Sequence, residues 1–179
     1  MPSIRPALTL VALISVSAII LSILYDITRE PIRLQQIASE TAIVSELLPG
    51  TARTAEELIT GGPVTKVVTG YDAQGVILGY VVTASYPGYA GPVEIMAGFD
   101  ATGTLTGVRV SNQRETPGLG TAILNQAFLA QFEGRTETMA VTRMPTAPNE
   151  IEALASATIS TAAVVNGINA AIAFISGSL

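Results

Sequence analysis

Apolar positions are distributed unevenly along this chain. Between Pro6 and Tyr25 no charged residue occurs, and 7–24 is dominated by Leu, Ile, Val and Ala. At about 1.5 Å rise per residue such a run crosses a ~30 Å hydrocarbon core. The pattern predicts one transmembrane helix, with the anchor assigned to 1–25. A cleaved signal peptide with Arg5 as its charged start is the competing assignment. Against it stand the length of the run and its exit, Tyr25, Asp26, Ile27, Thr28 and Arg29, which lacks small residues spaced for cleavage. A pilin-like filament subunit also begins with an apolar helix, but there is neither a Gly-Phe processing junction nor a glutamate early in the run.

Beyond the anchor, Ile32, Ile37, Ile43, Val44 and Leu47 keep helical spacing until Pro49 and Gly50 stop it. This predicts a stalk helix within 26–50, with Pro31 able to kink it. The pattern then changes to short β-rich runs at 64–68, 76–83, 93–99 and 104–111. Two connectors, 72–75 and 100–103, are Asp-x-x-Gly and predict similar hairpins. Helical spacing returns at 118–131 and 156–175; the second span is Ala-rich and nearly all apolar, so it should pack on the sheet. The expected fold class is α+β: the N-terminal transmembrane and stalk helices, then a soluble domain over 51–179 with a small antiparallel sheet and packed helices.

Composition narrows the chemistry. The 179 residues leave roughly 150 after the anchor, one ordinary domain with a sizeable core. Hydrophobic residues make up 49% and the net charge is -5, which excludes a disordered tail and gives no basic footprint for nucleic acid. Cysteine and histidine are absent, removing thiolate and imidazole catalysis, disulfides, iron–sulfur ligation and the usual zinc sites. A chain with so few reactive groups that takes part in chemistry borrows a cofactor for it. Charge does not set orientation, since Arg5 and the α-amino group on one side face Arg29 and Arg33 on the other.

Three segments are candidates for a site. Arg114, Glu115, Thr116, Pro117, Gly118, Leu119 and Gly120 follow a strand and open a helix, where backbone amides can approach a planar or anionic ligand; the same residues also suit a plain turn. In 152–161 four hydroxyls cluster where the last helix begins. Ser156 is placed as its N-cap and Thr158 in the first turn, where a phosphate is favoured; ordinary capping fits as well. Tyr86, Pro87, Gly88, Tyr89, Ala90, Gly91 and Pro92 form a loop suited to walling a flat ring, or to a surface turn.

Taken in order, these segments resemble the FMN-binding domain found in the G subunit of the Rnf ion-translocating electron transport complex and in the C subunit of the sodium-pumping NADH:quinone oxidoreductase. The resemblance spans about 80–165. Its most specific piece is Glu115 to Gly120, which matches the family's ETPGLG intact; Gly88, Tyr89, Ala90 and Gly91, and Gly98, Phe99 and Asp100, match weaker G-Y-x-G and G-x-D stretches. The modest length and near-immediate anchor are more similar to the Rnf subunit.

The resemblance implies FMN joined through its phosphate to Thr158, the position of the family's threonine in D-x-x-S/T-G-A-T, with Ala157 beside it. It implies that Glu115, Thr116, Gly118, Leu119 and Gly120, with Gly88, Tyr89 and Gly91, line the ring. This chain departs from the attachment pattern at Glu152, Ala155 and Ser156, and carries Gln113 where the family usually has histidine. By the same resemblance the chain is an electron-transfer subunit rather than a complete enzyme. It would relay electrons between ferredoxin and NAD with other membrane subunits, be matured by a flavin transferase, and hold its soluble domain on the periplasmic or extracellular face of the cytoplasmic membrane. A membrane-anchored module for a non-covalent ligand and a structural subunit without cofactor are the alternatives.

Overall fold

The computed structural model describes residues 5–178; positions 1–4 of the expected anchor and Leu179 lie outside the described residues. The chain divides into two compact units between Glu40 and Thr41.

The first unit is helical. Helix α1, Arg5–Leu47, runs through it without interruption and carries Pro31 inside. Leu8, Leu10, Val11, Leu13 and Ile14 are all at least 60% exposed, so apolar side chains point to every side of the helix axis. A helix of a water-soluble domain hides one apolar stripe; one that is apolar all round suits a lipid surrounding. The segment is long and apolar enough to cross a membrane. The segments expected as anchor and stalk are one continuous helix, because Pro31 removes a single backbone donor without ending the run.

The second unit begins with the last turns of α1 and is built on a five-stranded antiparallel sheet in the order β1-β2-β3-β4-β5. Its strands are β1 Arg53–Leu58, β2 Val64–Tyr71, β3 Ile77–Pro87, β4 Pro92–Asp100 and β5 Leu105–Asn112. Strands β2 to β5 match the four predicted runs, with ends that shift by up to four residues. Strand β1 has no apolar alternation to mark it, since every residue in it is exposed; it forms by pairing with β2 alone, Arg53 opposite Tyr71 and Leu58 opposite Lys66.

Both hairpins close as predicted. The Asp72 carboxylate accepts the amides of Gln74 and Val76, the Asp100 carboxylate those of Thr102 and Thr104, and Gly75 and Gly103 both have φ of 85°. A left-handed residue at the fourth position is where glycine costs least.

The sheet is covered on both faces, which explains why β3 and β4 read as nearly continuous apolar runs. Val82, Ala84, Ile95, Ala97 and Phe99 face the core under helix α3, Thr158–Ser178. Their neighbours Val68, Val81 and Met96 face the other way, onto Val44, Leu47 and Leu48 at the end of α1. Helix α3 buries Val164, Ile168, Ile172 and Ile175, each contributing roughly 1.5–3 kcal/mol.

The predicted helix over 118–131 is instead three short pieces. A 3₁₀ turn spans Gly120–Leu124, helix α2 spans Gln126–Leu129, and a second 3₁₀ turn spans Ala130–Phe132. Asn125, extended at φ −65° and ψ 126°, ends the first and caps the second through its side chain on the Ala127 amide at 2.9 Å. The connection to α3 adds a parallel pair, β6 Ala140–Thr142 with β7 Glu150–Glu152, too short to leave a periodic signal.

Candidate functional site

Three segments meet at the end of the sheet where β3 passes into β4 and β5 ends. The first is the tight connection between Pro87 and Pro92, closed by the Gly88 amide donating to the Gly91 carbonyl at 2.8 Å. The second is the stretch from Gln113 to Gly120. The third is the start of α3.

Glu115 joins them. It is 4% exposed. Its Oε1 accepts the Ala90 amide at 3.0 Å, and its Oε2 accepts the hydroxyl of Ser160. Its own amide donates to the Gln113 side-chain oxygen at 2.5 Å, so a glutamine in this position acts as a local acceptor. The glycines beside it are there for space. A Cβ on Gly88 would lie 2.5 Å from Glu115 Oε1, and one on Gly120 would lie 2.7 Å from Glu115 Cβ and 3.1 Å from Ser160 Oγ.

A cavity of about 560 Å³ opens between these segments, within the ~300–1,000 Å³ usual for small-molecule sites. Glu115, Thr116, Leu119 and Gly120 form one wall, residues 156–160 the other, and Tyr89 stands at the rim. Tyr89, Leu119 and Ile159 are each at least half exposed, giving the opening an apolar edge suited to a flat ring.

Thr158 is the first residue of α3, and its side chain is exposed on the cavity. The leading amides of a helix have no partner inside it and the dipole is positive there, so an anion is favoured beside this hydroxyl. The helix is not capped as predicted. Ser156 lies two residues before it, exposed, with φ of 64°. Thr161 supplies the local bonds instead: its hydroxyl accepts the Leu154 amide at 3.2 Å and donates to the Ala157 carbonyl at 2.9 Å. Ala157 is buried, which fixes the first turn against the core.

The cavity thus brings together Tyr89, Glu115, Thr116, Leu119, Gly120, Ala157 and Thr158 from the predicted set. Gly88 and Gly91 line an adjoining concavity of about 540 Å³ that Tyr89 shares. Gly118, with φ of 78°, makes the turn leading into the wall. Ser156, expected as the cap of α3, and Ile159 and Ser160, which lie in the 152–161 segment but outside the expected cofactor-binding residues, also line the cavity. The hydroxyl cluster at the start of α3 was their only signal.

Comparison with known proteins gives the same segments a family. The FMN-binding domain family matches residues 88–173, which contain all of this site. The chain is 32% identical over 174 residues to the G subunit of the ion-translocating oxidoreductase complex of Methanosarcina acetivorans, covering 94% of this chain and 92% of that one. It is 37% identical over 105 residues to the G subunit of the Na(+)-translocating ferredoxin:NAD(+) oxidoreductase complex of Acetobacterium woodii, covering 56% of this chain and 50% of that one. Among solved structures, the C subunit of the Na(+)-translocating NADH-quinone reductase of Parabacteroides distasonis superposes with a TM-score of 0.50 at 18% identity, covering 66% of this chain and 75% of that one. NqrC of Shewanella oneidensis gives the same TM-score at 16% identity, over 67% and 64%. At such identities these two establish a shared α+β fold. With the relative from Methanosarcina acetivorans aligned along nearly the whole chain, and the FMN-binding domain lying over the cavity, this chain belongs to the family of G subunits of ion-translocating oxidoreductase complexes.

Proposed function

We propose that this chain is the membrane-anchored electron relay of an Rnf-type ion-translocating ferredoxin:NAD oxidoreductase complex, carrying FMN through a phosphoester on Thr158. The observation that carries the reading is the position of Thr158, an exposed hydroxyl at the start of α3 on the wall of a cavity of about 560 Å³.

The residues fit such a group. The start of α3 offsets phosphate charge next to the hydroxyl that would bear it. Tyr89, Leu119 and Ile159 offer apolar surface to a ring, and Gly120 lets the wall come close to Glu115 and Ser160. FMN, when bound, supplies one-electron chemistry. The protein's share is to hold, orient and shield it, which requires no general acid or base and suits a chain without histidine. Attachment at Thr158 prevents loss of the group between turnovers.

The first 25 residues anchor the chain in the cytoplasmic membrane as a single span, 26–50 lead out of it, and the domain over 51–179 stands on the periplasmic or extracellular side. The apolar surface of α1 supports contact with lipid. Its partners are the other subunits of the complex, and a flavin transferase matures it.

The test uses the full chain co-expressed with a flavin transferase, run on a denaturing gel and mapped by mass spectrometry. A fluorescent band with FMN mass on the Thr158 peptide, absent from Thr158→Ala, is the expected result. A dark wild-type band with flavin released into the supernatant would replace this reading with a non-covalent binder; no flavin at all would leave a structural subunit.

A further inference from the structure

We infer that Glu115 is a positioning residue that sets the width of the cavity, by tying the turn at 88–91 to the first turn of α3. What the cavity holds rests on the function proposed above; the tie itself does not.

Its two carboxylate oxygens take partners 25 and 45 residues away, on two different elements: the Ala90 amide and the Ser160 hydroxyl. Both partners belong to the cavity's surroundings: Ala90 follows Tyr89 at the rim, and Ser160 itself lines the cavity, two positions after Thr158. The rim and the attachment hydroxyl are therefore held at a fixed separation through one side chain. The packing leaves no slack, because a Cβ on either Gly88 or Gly120 would stand within 2.8 Å of a Glu115 oxygen. A carboxyl group at 4% exposure is a costly way to fill space. An apolar side chain fills volume better but fixes no direction, whereas two directed hydrogen bonds specify where both neighbours sit.

Shape rather than charge is what this role needs. Glutamine has the same length; its oxygen can accept the Ala90 amide while its nitrogen donates to the Ser160 hydroxyl. Alanine can do neither.

The experiment follows amide hydrogen exchange at Ala90 in the full chain in detergent, with Val82 in the middle of β3 as internal reference. Glu115→Ala is expected to raise exchange at Ala90 about tenfold with Val82 unchanged, and Glu115→Gln to restore the wild-type rate. On flavin-loaded protein, visible circular dichroism is lost in Glu115→Ala and kept in Glu115→Gln. Wild-type exchange at Ala90 in Glu115→Ala, or equal acceleration at Val82, overturns the inference. Should Glu115→Ala not fold, Ser160→Ala decides: exchange at Ala90 rises about threefold if the three groups act as one tie, and stays at the wild-type rate if they do not. A wild-type chain that never takes up flavin defeats the proposed function, while the exchange measurement still decides the role of Glu115.

Discussion

Leu47, the last residue of α1, rests directly on Gly98 in β4. A Cβ at that glycine would stand 2.8 Å from Leu47 Cβ and 2.7 Å from Thr106 Oγ1. The Thr106 hydroxyl also donates to the Leu47 carbonyl at 3.1 Å, so the end of α1 is fastened to the sheet by packing and by a hydrogen bond. Gly79 and Gly107 extend the same floor beneath Leu48 and Leu47.

Adding a methyl group to this floor should cost stability in a graded way. At Gly79 the new atom meets the Phe99 carbonyl at 2.1 Å, which is backbone and cannot move aside; at Gly107 it meets only the Leu47 Cδ2 tip at 3.0 Å. Overpacking typically costs about 1–3 kcal/mol. Gly79→Ala should fall at or beyond the upper end, Gly98→Ala within it, and Gly107→Ala near the lower end. Urea denaturation followed by far-ultraviolet circular dichroism checks the order; equal losses at all three would refute the account.

Ser156 holds a left-handed backbone at φ of 64°, the conformation at the position where the family's attachment pattern has glycine. Glycine there relieves about 1 kcal/mol of strain but loosens the unfolded chain by a comparable amount. Ser156→Gly should leave the melting temperature nearly unchanged, whereas the β-branched Ser156→Val should lower stability by about 1–2 kcal/mol. Thermal melts of the two variants side by side measure the difference.

Under the proposed function, returning residues 152–158 to the pattern that the resemblance implies should raise flavin loading. Glu152, Ala155 and Ser156 are all exposed, so Glu152→Asp, Ala155→Ser and Ser156→Gly together leave the core untouched. The modified fraction of the Thr158 peptide, read by mass spectrometry with the transferase held constant, is expected to rise. An unchanged fraction would mean that the three departures do not limit attachment.

Acid should weaken the second unit partly through Asp100. Its carboxyl is held below the usual value, first by the Thr102 hydroxyl and then, against a burial effect that raises it, by the amides of Thr104, Thr102 and Gly103. Glu150 is held low by the amides of Thr146 and Ala147. A group depressed in the folded state stabilises above its unfolded value, about 3.9 for aspartate, and that contribution fades as pH falls through the folded value. Asp100→Asn, which can still accept the amides, should therefore lose less melting temperature than wild type between about pH 5 and 3. Parallel acid limbs would show that Asp100 carries none of the dependence.

Much of the fold was legible because it is local. The apolar run of α1, the β-rich runs of β2 to β5 and the paired Asp-x-x-Gly turns are each written into adjacent residues. Strand β1 was not legible, since its residues are exposed on both sides and only the edge of β2 makes it a strand. The helix predicted over 118–131 failed for a related reason. Its spacing suits a helix, but Asn125 takes an extended backbone and caps a new turn, so Phe128 and Phe132 reach the core from separate pieces.

At the site, the sequence alone determined the residue types: the glycine-rich turns, the hydroxyls around Thr158, and the lack of any imidazole or thiol that would call for other chemistry. Only the tertiary structure decided that Glu115 is buried between Ala90 and Ser160, and that Gly88 and Gly120 make room for it. The reason is that hydrogen bonds between residues 25 and 45 apart leave no periodic trace in the chain. They exist only once the sheet end and the start of α3 have been brought face to face.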